Sequence, residues 1–201
     1  MLTVLVGCEE SGTVRDAFLQ RGHDAYSCDL LPTRSPIENR HYQCDIYDAL
    51  YAKQWDIIIL HPDCTKLAVS GNRWYGRGTA KHNQRLDAII WTAGLWQTAK
   101  KLAKVGAALE NPVGVLSGYP GMGKGGTTYM QYIQPYEYGH GETKKTCLFL
   151  YKLPPLVPTN IVEGRESRII EMGPSPTRKR DRSVTYKGIA EAMANQWGAL
   201  C

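Results

Sequence analysis

Residues 55–61 read Trp-Asp-Ile-Ile-Ile-Leu-His, and this run constrains the fold more than any other part of the chain. Consecutive β-branched isoleucines favour a strand over a helix. Four apolar residues without polar alternation describe a strand covered on both faces. Such a strand needs helices above and below its sheet, and therefore parallel neighbours joined by crossovers. The rest of the sequence supplies them. Thr3-Val4-Leu5-Val6-Gly7 reads as a second buried strand ended by glycine. Ser11 is placed to cap the following helix, which carries Val14, Ala17 and Phe18 on one stripe and Gly22 at its end. Strands are expected over 23–29, 41–45 and 105–109, with a helical turn or two over 48–54. Residues 80–104 read as a long helix with an apolar stripe of Leu86, Ile89, Ile90, Ala93, Trp96 and Leu102. Several prolines precede a last helix over 187–197. The expectation is an α/β open sheet, which binds ligands beyond the carboxyl ends of its strands.

The chain has 201 residues, enough for one domain, and its 43% hydrophobic and 21% charged content is that of a globular protein. No unbroken apolar run approaches the ~18 residues of a membrane helix. No basic leader precedes an apolar region at Met1-Leu2-Thr3-Val4, so a cytoplasmic location is expected. The six cysteines, at 8, 28, 44, 64, 147 and 201, include no Cys-x-x-Cys pair. They are expected as free thiols, with no zinc site and no other metal. His140-Gly141-Glu142 matches half of a zinc deaminase signature, but the downstream Pro-Cys-x-x-Cys is absent.

The net charge of +5 is unevenly spread. Residues 1–50 hold four basic and eight acidic side chains, whereas 66–105 hold eight basic residues and only Asp87 as an acid. A basic stretch of that kind commonly meets a polyanion, although a solvated helix face gives the same count.

The strand ends carry the chemistry. Gly7-Cys8-Glu9-Glu10-Ser11-Gly12 follows the first strand, and its glycines permit close backbone approach to a ligand. No Lys-Ser/Thr pair follows, which excludes a P-loop, and Glu9 and Glu10 would repel a pyrophosphate. A cationic ligand without phosphate suits the turn, and S-adenosylmethionine is such a ligand. Asp29 ends the second strand, 22 residues after Gly7, where an acid accepts ribose hydroxyls. Asp45, at the third strand end, is placed for an adenine amino group. The fourth strand runs into His61-Pro62-Asp63-Cys64-Thr65, where a cysteine in a proline-fixed loop is a candidate nucleophile. The fifth ends in Glu110-Asn111-Pro112. Behind apolar Ala107-Ala108-Leu109, the Glu110 carboxyl is expected to be desolvated, with a raised pKa suited to proton donation.

This ordered set resembles the DNA cytosine-5 methyltransferase family. Pro62-Asp63-Cys64 stands where the family has its Pro-Cys loop, and Glu110-Asn111-Pro112 where it has Glu-Asn-Val. Residues 186–194, Tyr-Lys-Gly-Ile-Ala-Glu-Ala-Met-Ala, look like the last motif, which returns to the cofactor. Glu9-Glu10-Ser11-Gly12, Leu67-Ala68-Val69-Ser70-Gly71-Asn72-Arg73-Trp74 and Gly139-His140-Gly141-Glu142-Thr143-Lys144 look like small phage-encoded members.

The resemblance implies a Rossmann-like methyltransferase fold, S-adenosylmethionine as cofactor and cytosine-containing DNA as partner. It implies Cys64, Glu110 and Asn111 as catalytic residues. Gly7, Cys8, Glu9, Ser11, Gly12, Asp29, Leu30, Asp45, Pro62, Gly188 and Ala190 would line the cofactor. Lys66, Ser70, Asn72, Arg73, Arg77, Lys144, Arg180 and Arg182 would meet nucleic acid, and the target base would leave its stack.

Three departures stand out. Asp63 replaces the family's second proline, and a carboxylate there raises the Cys64 pKa unless it faces solvent or pairs with Lys66. The Gln-x-Arg-x-Arg motif is not recognisable; Arg165 and Arg168 are the nearest candidates, and Arg168 is taken for that catalytic role. Only 75 residues (111–185) separate Glu110 from the closing motif, so any target-recognition insert within 113–185 is reduced. The tyrosines at 119, 129, 132, 136 and 138 read as sheet packing or as a base-stacking flap. Two rivals remain on the residues alone. One is a nucleic-acid-binding protein that keeps the fold without catalysis. The other is an enzyme that modifies cytosine with another one-carbon donor, or acts on RNA or free nucleotide.

Overall fold

A computed structural model describes residues 1–122, 128–173, 175 and 177–200. Part of the glycine-rich loop read over 118–126 lies outside them, as do Pro174, Pro176 and Cys201. The strands are β1 (Thr3–Gly7), β2 (Asp24–Asp29), β3 (His41–Gln43), β4 (Ile57–Leu60), β5 (Gly106–Pro112), β6 (Thr128–Ile133) and β7 (Thr146–Tyr151). The helices are α1 (Thr13–Leu19), α2 (Ile46–Ala52), α3 (Asn72–Tyr75), α4 (His82–Leu102), α5 (Arg168–Glu171), α6 (Arg178–Ser183) and α7 (Lys187–Gly198).

Among the described residues the strands form one sheet in the order β3-β2-β1-β4-β5-β7-β6. All pairings from β3 to β5 are parallel, and β7 runs antiparallel to both β5 and β6. This is the Rossmann-like α/β sheet expected, with one reversed strand inserted before the last. The apolar run of β4 lies centrally between β1 and β5. Its side chains alternate: Ile57 and Ile59 enter one core with Phe18 of α1 and Met193 and Trp197 of α7. Ile58 and Leu60 enter the other with Leu50 of α2 and Leu95 and Trp96 of α4. Each such side chain fully buried contributes roughly 1.5–3 kcal/mol, so both helical layers are tightly held.

Several expected details shift. The α1 N-cap is Gly12, and Ser11 stands one residue earlier, where its Oγ accepts the Thr13 N–H at 3.2 Å. The third strand stops at Gln43, and Asp45 instead caps α2, accepting the Tyr47 N–H at 2.8 Å. The helix expected from 48 thus begins at Ile46. On α4 the buried face is Arg85, Ile89, Thr92, Leu95, Trp96 and Ala99, while Leu86 is 43% and Ile90 63% exposed. Two polar residues sit on the inward stripe and disguised its phase. Tyr138 and Tyr129 resolve to packing: Tyr138 is buried and Tyr129 rests against the core on β6. No helix among the described residues is long and apolar enough to cross a membrane.

Candidate active site

The turn after β1 is organised by Glu9, which is buried. Its carboxylate accepts the backbone N–H of Val14 at 2.7 Å and of Arg15 at 3.3 Å. Glu9 therefore fills the α1 N-terminus, the position where a dinucleotide fold seats a phosphate. Glu10 pairs with Arg34 at 2.9 Å. The glycines answer to the protein rather than to a ligand. A Cβ on Gly7 would lie 2.4 Å from Ile46 Cδ1, and one on Gly12 would lie 2.5 Å from Arg15 Nη2. Ser11 Oγ accepts the N–H of Thr13, the first residue of α1, and donates to Glu9.

Cys8 has a positive φ of 59° and stands at the centre of this edge. Burial pushes its thiol up to about 12, and the charges of Asp29, Asp45 and Asp63 add to the effect. Carboxylates from β2, the α2 cap and the Cys64 loop thus all act on the Cys8 thiol. Such a donor set fits a cationic, phosphate-free ligand and disfavours a pyrophosphate. Asp29 uses one oxygen on the Leu31 N–H at 3.0 Å, and Leu30 beside it is exposed. From the closing motif, Gly188 donates its N–H to His140 Nε2 at 3.0 Å. A Cβ on Gly188 would fall 1.9 Å from the Tyr138 carbonyl oxygen, and Ala190 is buried in the core. Both serve the seating of α7.

The second half of the site lies where β4 and β5 end. Their register pairs Leu60 with Leu109, so the next residues, His61 and Glu110, stand side by side. His61 Nδ1 lies 3.2 Å from Glu110 Oε2. Burial alone raises the Glu110 pKa. The His61 hydrogen bond, Lys144, the His61 charge and the Thr146 side chain outweigh it, and the net direction is down. The raised pKa expected for Glu110 is thus overturned: two basic neighbours keep it ionised.

Cys64 is half-buried in the loop after β4. Burial first, then the charges of Glu110 and Asp63, push its thiol up, while Lys144 opposes them. Asp63 is exposed, and its Oδ1 accepts the Thr65 N–H at 2.9 Å and the Thr65 hydroxyl at 2.6 Å. The loop is anchored from three sides. Asn111 Nδ2 donates to the Pro62 carbonyl at 3.2 Å. Gly114 approaches Leu67 so closely that a Cβ would sit 2.1 Å from its carbonyl oxygen. Arg85, only 4% exposed, donates to the Lys66 carbonyl, the Ala68 carbonyl and Asn72 Oδ1.

Arg168 does not join this centre. It is 58% exposed and pairs with Glu142 at 2.8 Å. Lys144 does join it, since its charge acts on both Glu110 and Cys64 while its Nζ donates to the Arg182 carbonyl at 2.8 Å. Lys144 thus lines one cavity with Glu110, although the sequence reading set it among the nucleic-acid contacts. Ser70, Arg73, Arg77 and Arg180 are exposed, Lys66 and Arg182 half-buried, and Asn72 is held by Arg85.

Solved structures superpose on the chain at low identity. A prophage-encoded E. coli protein assigned as a DNA modification methyltransferase superposes with a TM-score of 0.49 at 14% identity, covering 87% of this chain and 56% of its own. The Entamoeba histolytica methyltransferase EhMeth gives 0.48 at 11% identity, covering 83% and 57%. The S. pombe Dnmt2 methyltransferase gives 0.46 at 13% identity, covering 88% and 57%. The chain therefore spans a little over half the length of these proteins. No protein-family model and no curated protein matches it.

Sequence reasoning missed His61, Thr146, Arg85 and the place of Lys144 beside Glu110. His61 had one usable signal: it directly follows the apolar run and precedes Pro62, and so falls at a strand end. Arg85 and Thr146 had none, since a buried arginine reads as surface and a strand threonine as filler. Among the described residues no group of three His, Cys, Asp or Glu side chains is placed to hold a metal.

Proposed function

We propose that this protein is a DNA cytosine-5 methyltransferase that uses S-adenosylmethionine. The carrying observation is that Cys64 and Glu110 stand where the adjacent parallel strands β4 and β5 end, with Lys144 lining one small cavity with Glu110 and both charges acting on the Cys64 thiol. Carbon 5 of cytosine becomes nucleophilic only after a nucleophile adds at carbon 6, so the reaction needs a thiolate and a proton for ring nitrogen 3. Cys64 supplies the first and Glu110 delivers the second. The two needs reinforce each other: the Glu110 charge is what most opposes the Cys64 thiolate after burial, and a proton on Glu110 removes that opposition. Lys144 steadies the negative charge on whichever residue carries it. Asn111 holds the Cys64 loop against β5.

S-adenosylmethionine, when bound, supplies an electrophilic methyl group. Asp29, Asp45 and the Cys8 turn would hold it, with Leu30 against the adenosine and Glu9 fixing the turn from within. The short segment 113–185 favours loose target selection, with Lys66, Ser70, Arg73, Arg77, Arg180 and Arg182 meeting phosphates.

Tritiated methyl transfer to cytosine-containing single- and double-stranded DNA tests this reading, with Cys64→Ser alongside. Incorporation by wild type, its loss in Cys64→Ser, and a covalent adduct with 5-fluorocytosine DNA support it. No incorporation and no adduct with either DNA form overturns it. Incorporation into RNA or free nucleotide alone overturns the substrate.

A further inference from the structure

Cys28 and Cys44 have no part in any step above, yet their sulfur atoms lie 4.0 Å apart. Cys28, on β2, is fully buried in the core shared with α2 and α4. Cys44 follows β3 and is half-buried. Cys28 Sγ also donates to the Cys44 carbonyl oxygen at 3.5 Å. The two thiols thus meet across neighbouring parallel strands, whose register sets Cys28 beside Tyr42 and Asp29 beside Gln43.

Each cysteine directly precedes a carboxylate assigned above to the cofactor. Asp29 follows Cys28 and ends β2, and Asp45 follows Cys44 and caps α2 through the Tyr47 N–H. The Cys28 carbonyl also accepts the Glu9 N–H at 3.0 Å, and Cys28 pairs in register with Gly7 of β1. Cys28 therefore joins the turn after β1 to the end of β2, and its sulfur touches the segment that enters α2. A disulfide bond is about 2.05 Å long, so closing this gap draws the sulfurs together by about 2 Å. We propose that Cys28 and Cys44 form an oxidisable dithiol site, which a peroxide closes to a disulfide and a thiol reductant reopens, and that closure weakens the binding of S-adenosylmethionine. The bond itself is independent of the methyltransferase reading, and only its effect on the cofactor rests on that reading.

Cys44 is the accessible sulfur of the pair and reacts first. It takes one oxygen atom from hydrogen peroxide, giving a sulfenic acid and releasing water. Cys28 Sγ then bonds to the Cys44 sulfur, the sulfur–oxygen bond breaks, and the oxygen leaves as a second water with the Cys28 proton. Peroxide is reduced and the two thiols are oxidised by two electrons. A dithiol reverses the bond by exchange, becoming the disulfide itself. A displacement of about 1 Å at a reacting site costs about a hundredfold, and this bond pulls on both segments that carry the cofactor's carboxylates.

The test treats the reduced full-length chain with hydrogen peroxide, blocks the remaining thiols with iodoacetamide and maps the peptides by mass spectrometry. The expected product is a linked Cys28–Cys44 peptide, lighter by two hydrogen atoms than its separate halves and absent after dithiothreitol. Calorimetry before and after oxidation should show the S-adenosylmethionine Kd raised by about tenfold or more, with recovery in dithiothreitol. Cys44→Ser should bind as reduced wild type does and keep that affinity in peroxide. If Cys44→Ser does not fold, Cys28→Ala makes the same comparison. No linked peptide, or Cys28 linked to Cys8 instead, overturns the site. A linked peptide with unchanged affinity, or a loss of affinity that persists in Cys44→Ser, overturns its effect on the cofactor. Reduced wild type that binds no S-adenosylmethionine overturns the cofactor reading instead, while the linked peptide still decides the bond.

Discussion

Asn111 donates from Nδ2 to the carbonyl oxygen of Pro62 across 3.2 Å, so the residue after Glu110 clamps the peptide two positions before Cys64. The segments carrying the candidate acid and nucleophile are thereby tied together by the Asn111 side chain on the Pro62 backbone. Asn111→Ala leaves the buried carbonyl unpaired, which costs about 1–3 kcal/mol. Urea unfolding should show that loss. Single-turnover methyl transfer should fall by about a hundredfold, since small misplacements of reacting groups cost that much.

Arg85 holds the same loop from α4. Its three hydrogen bonds require a planar fork at fixed angles, which lysine lacks. Arg85→Lys should therefore destabilise nearly as much as Arg85→Met. Both should lose about 2–3 kcal/mol in denaturant melts, the range for hydrogen bonds from a charged group. Protease nicking within 64–72 should rise in both.

The acid limb of stability has a defined sign. The Glu110 pKa is held below its ordinary value in the folded state. Its stabilisation is therefore present above the unfolded value of about 4.3 and is lost as pH falls through the lower folded value. Glu9 runs the other way, because burial raises it and acidification relieves the penalty. Wild type should exceed Glu110→Gln in stability at pH 6, and the gap should close toward pH 3. Glu9→Gln should show the opposite trend, with thermal melts at both pH values as the measurement.

Thiol alkylation reads the field at Cys64 without any substrate. Glu110 raises the thiol pKa and Lys144 lowers it. Iodoacetamide labelling at pH 8, followed by mass spectrometry of the Cys64 peptide, should be faster in Glu110→Gln than in wild type and slower in Lys144→Met. Cys8 and Cys147, both pushed up to about 12, should label slowly in all three proteins.

Lys144 and Arg168 should separate in activity. Removing a charge that acts on reacting groups costs about 10²–10³ in kcat, so Lys144→Met should lose that much. Arg168 is mostly exposed, and its pair with Glu142 contributes at most about 1 kcal/mol after solvent screening. Arg168→Met should lose less than tenfold, and methyl-transfer kinetics of the two variants side by side check the contrast.

The boundary between what was legible and what was not follows the range of the interactions. The Ile57–Leu60 run, the glycine that ends β1 and the acid at the end of β2 each announce themselves within a few residues. Backbone periodicity and turn chemistry are local properties, and they were enough to place Cys64, Glu110 and Asp29 at one edge of a parallel sheet. The acidic first quarter was legible as a count; the combined effect of Asp29 and Asp45, with Asp63 from a later loop, on the Cys8 thiol was not. The sequence by itself determined the sheet, the order of its strands' ends and which reactive side chains those ends carry. Tertiary structure alone decided their charge states and partners. Glu9 turned inward to cap α1, Lys144 replaced Arg168 beside Glu110, and the 49-residue separation of His61 and Glu110 closed to a hydrogen bond. Burial and electrostatic fields sum over everything nearby in space, and no local pattern in a chain encodes that sum.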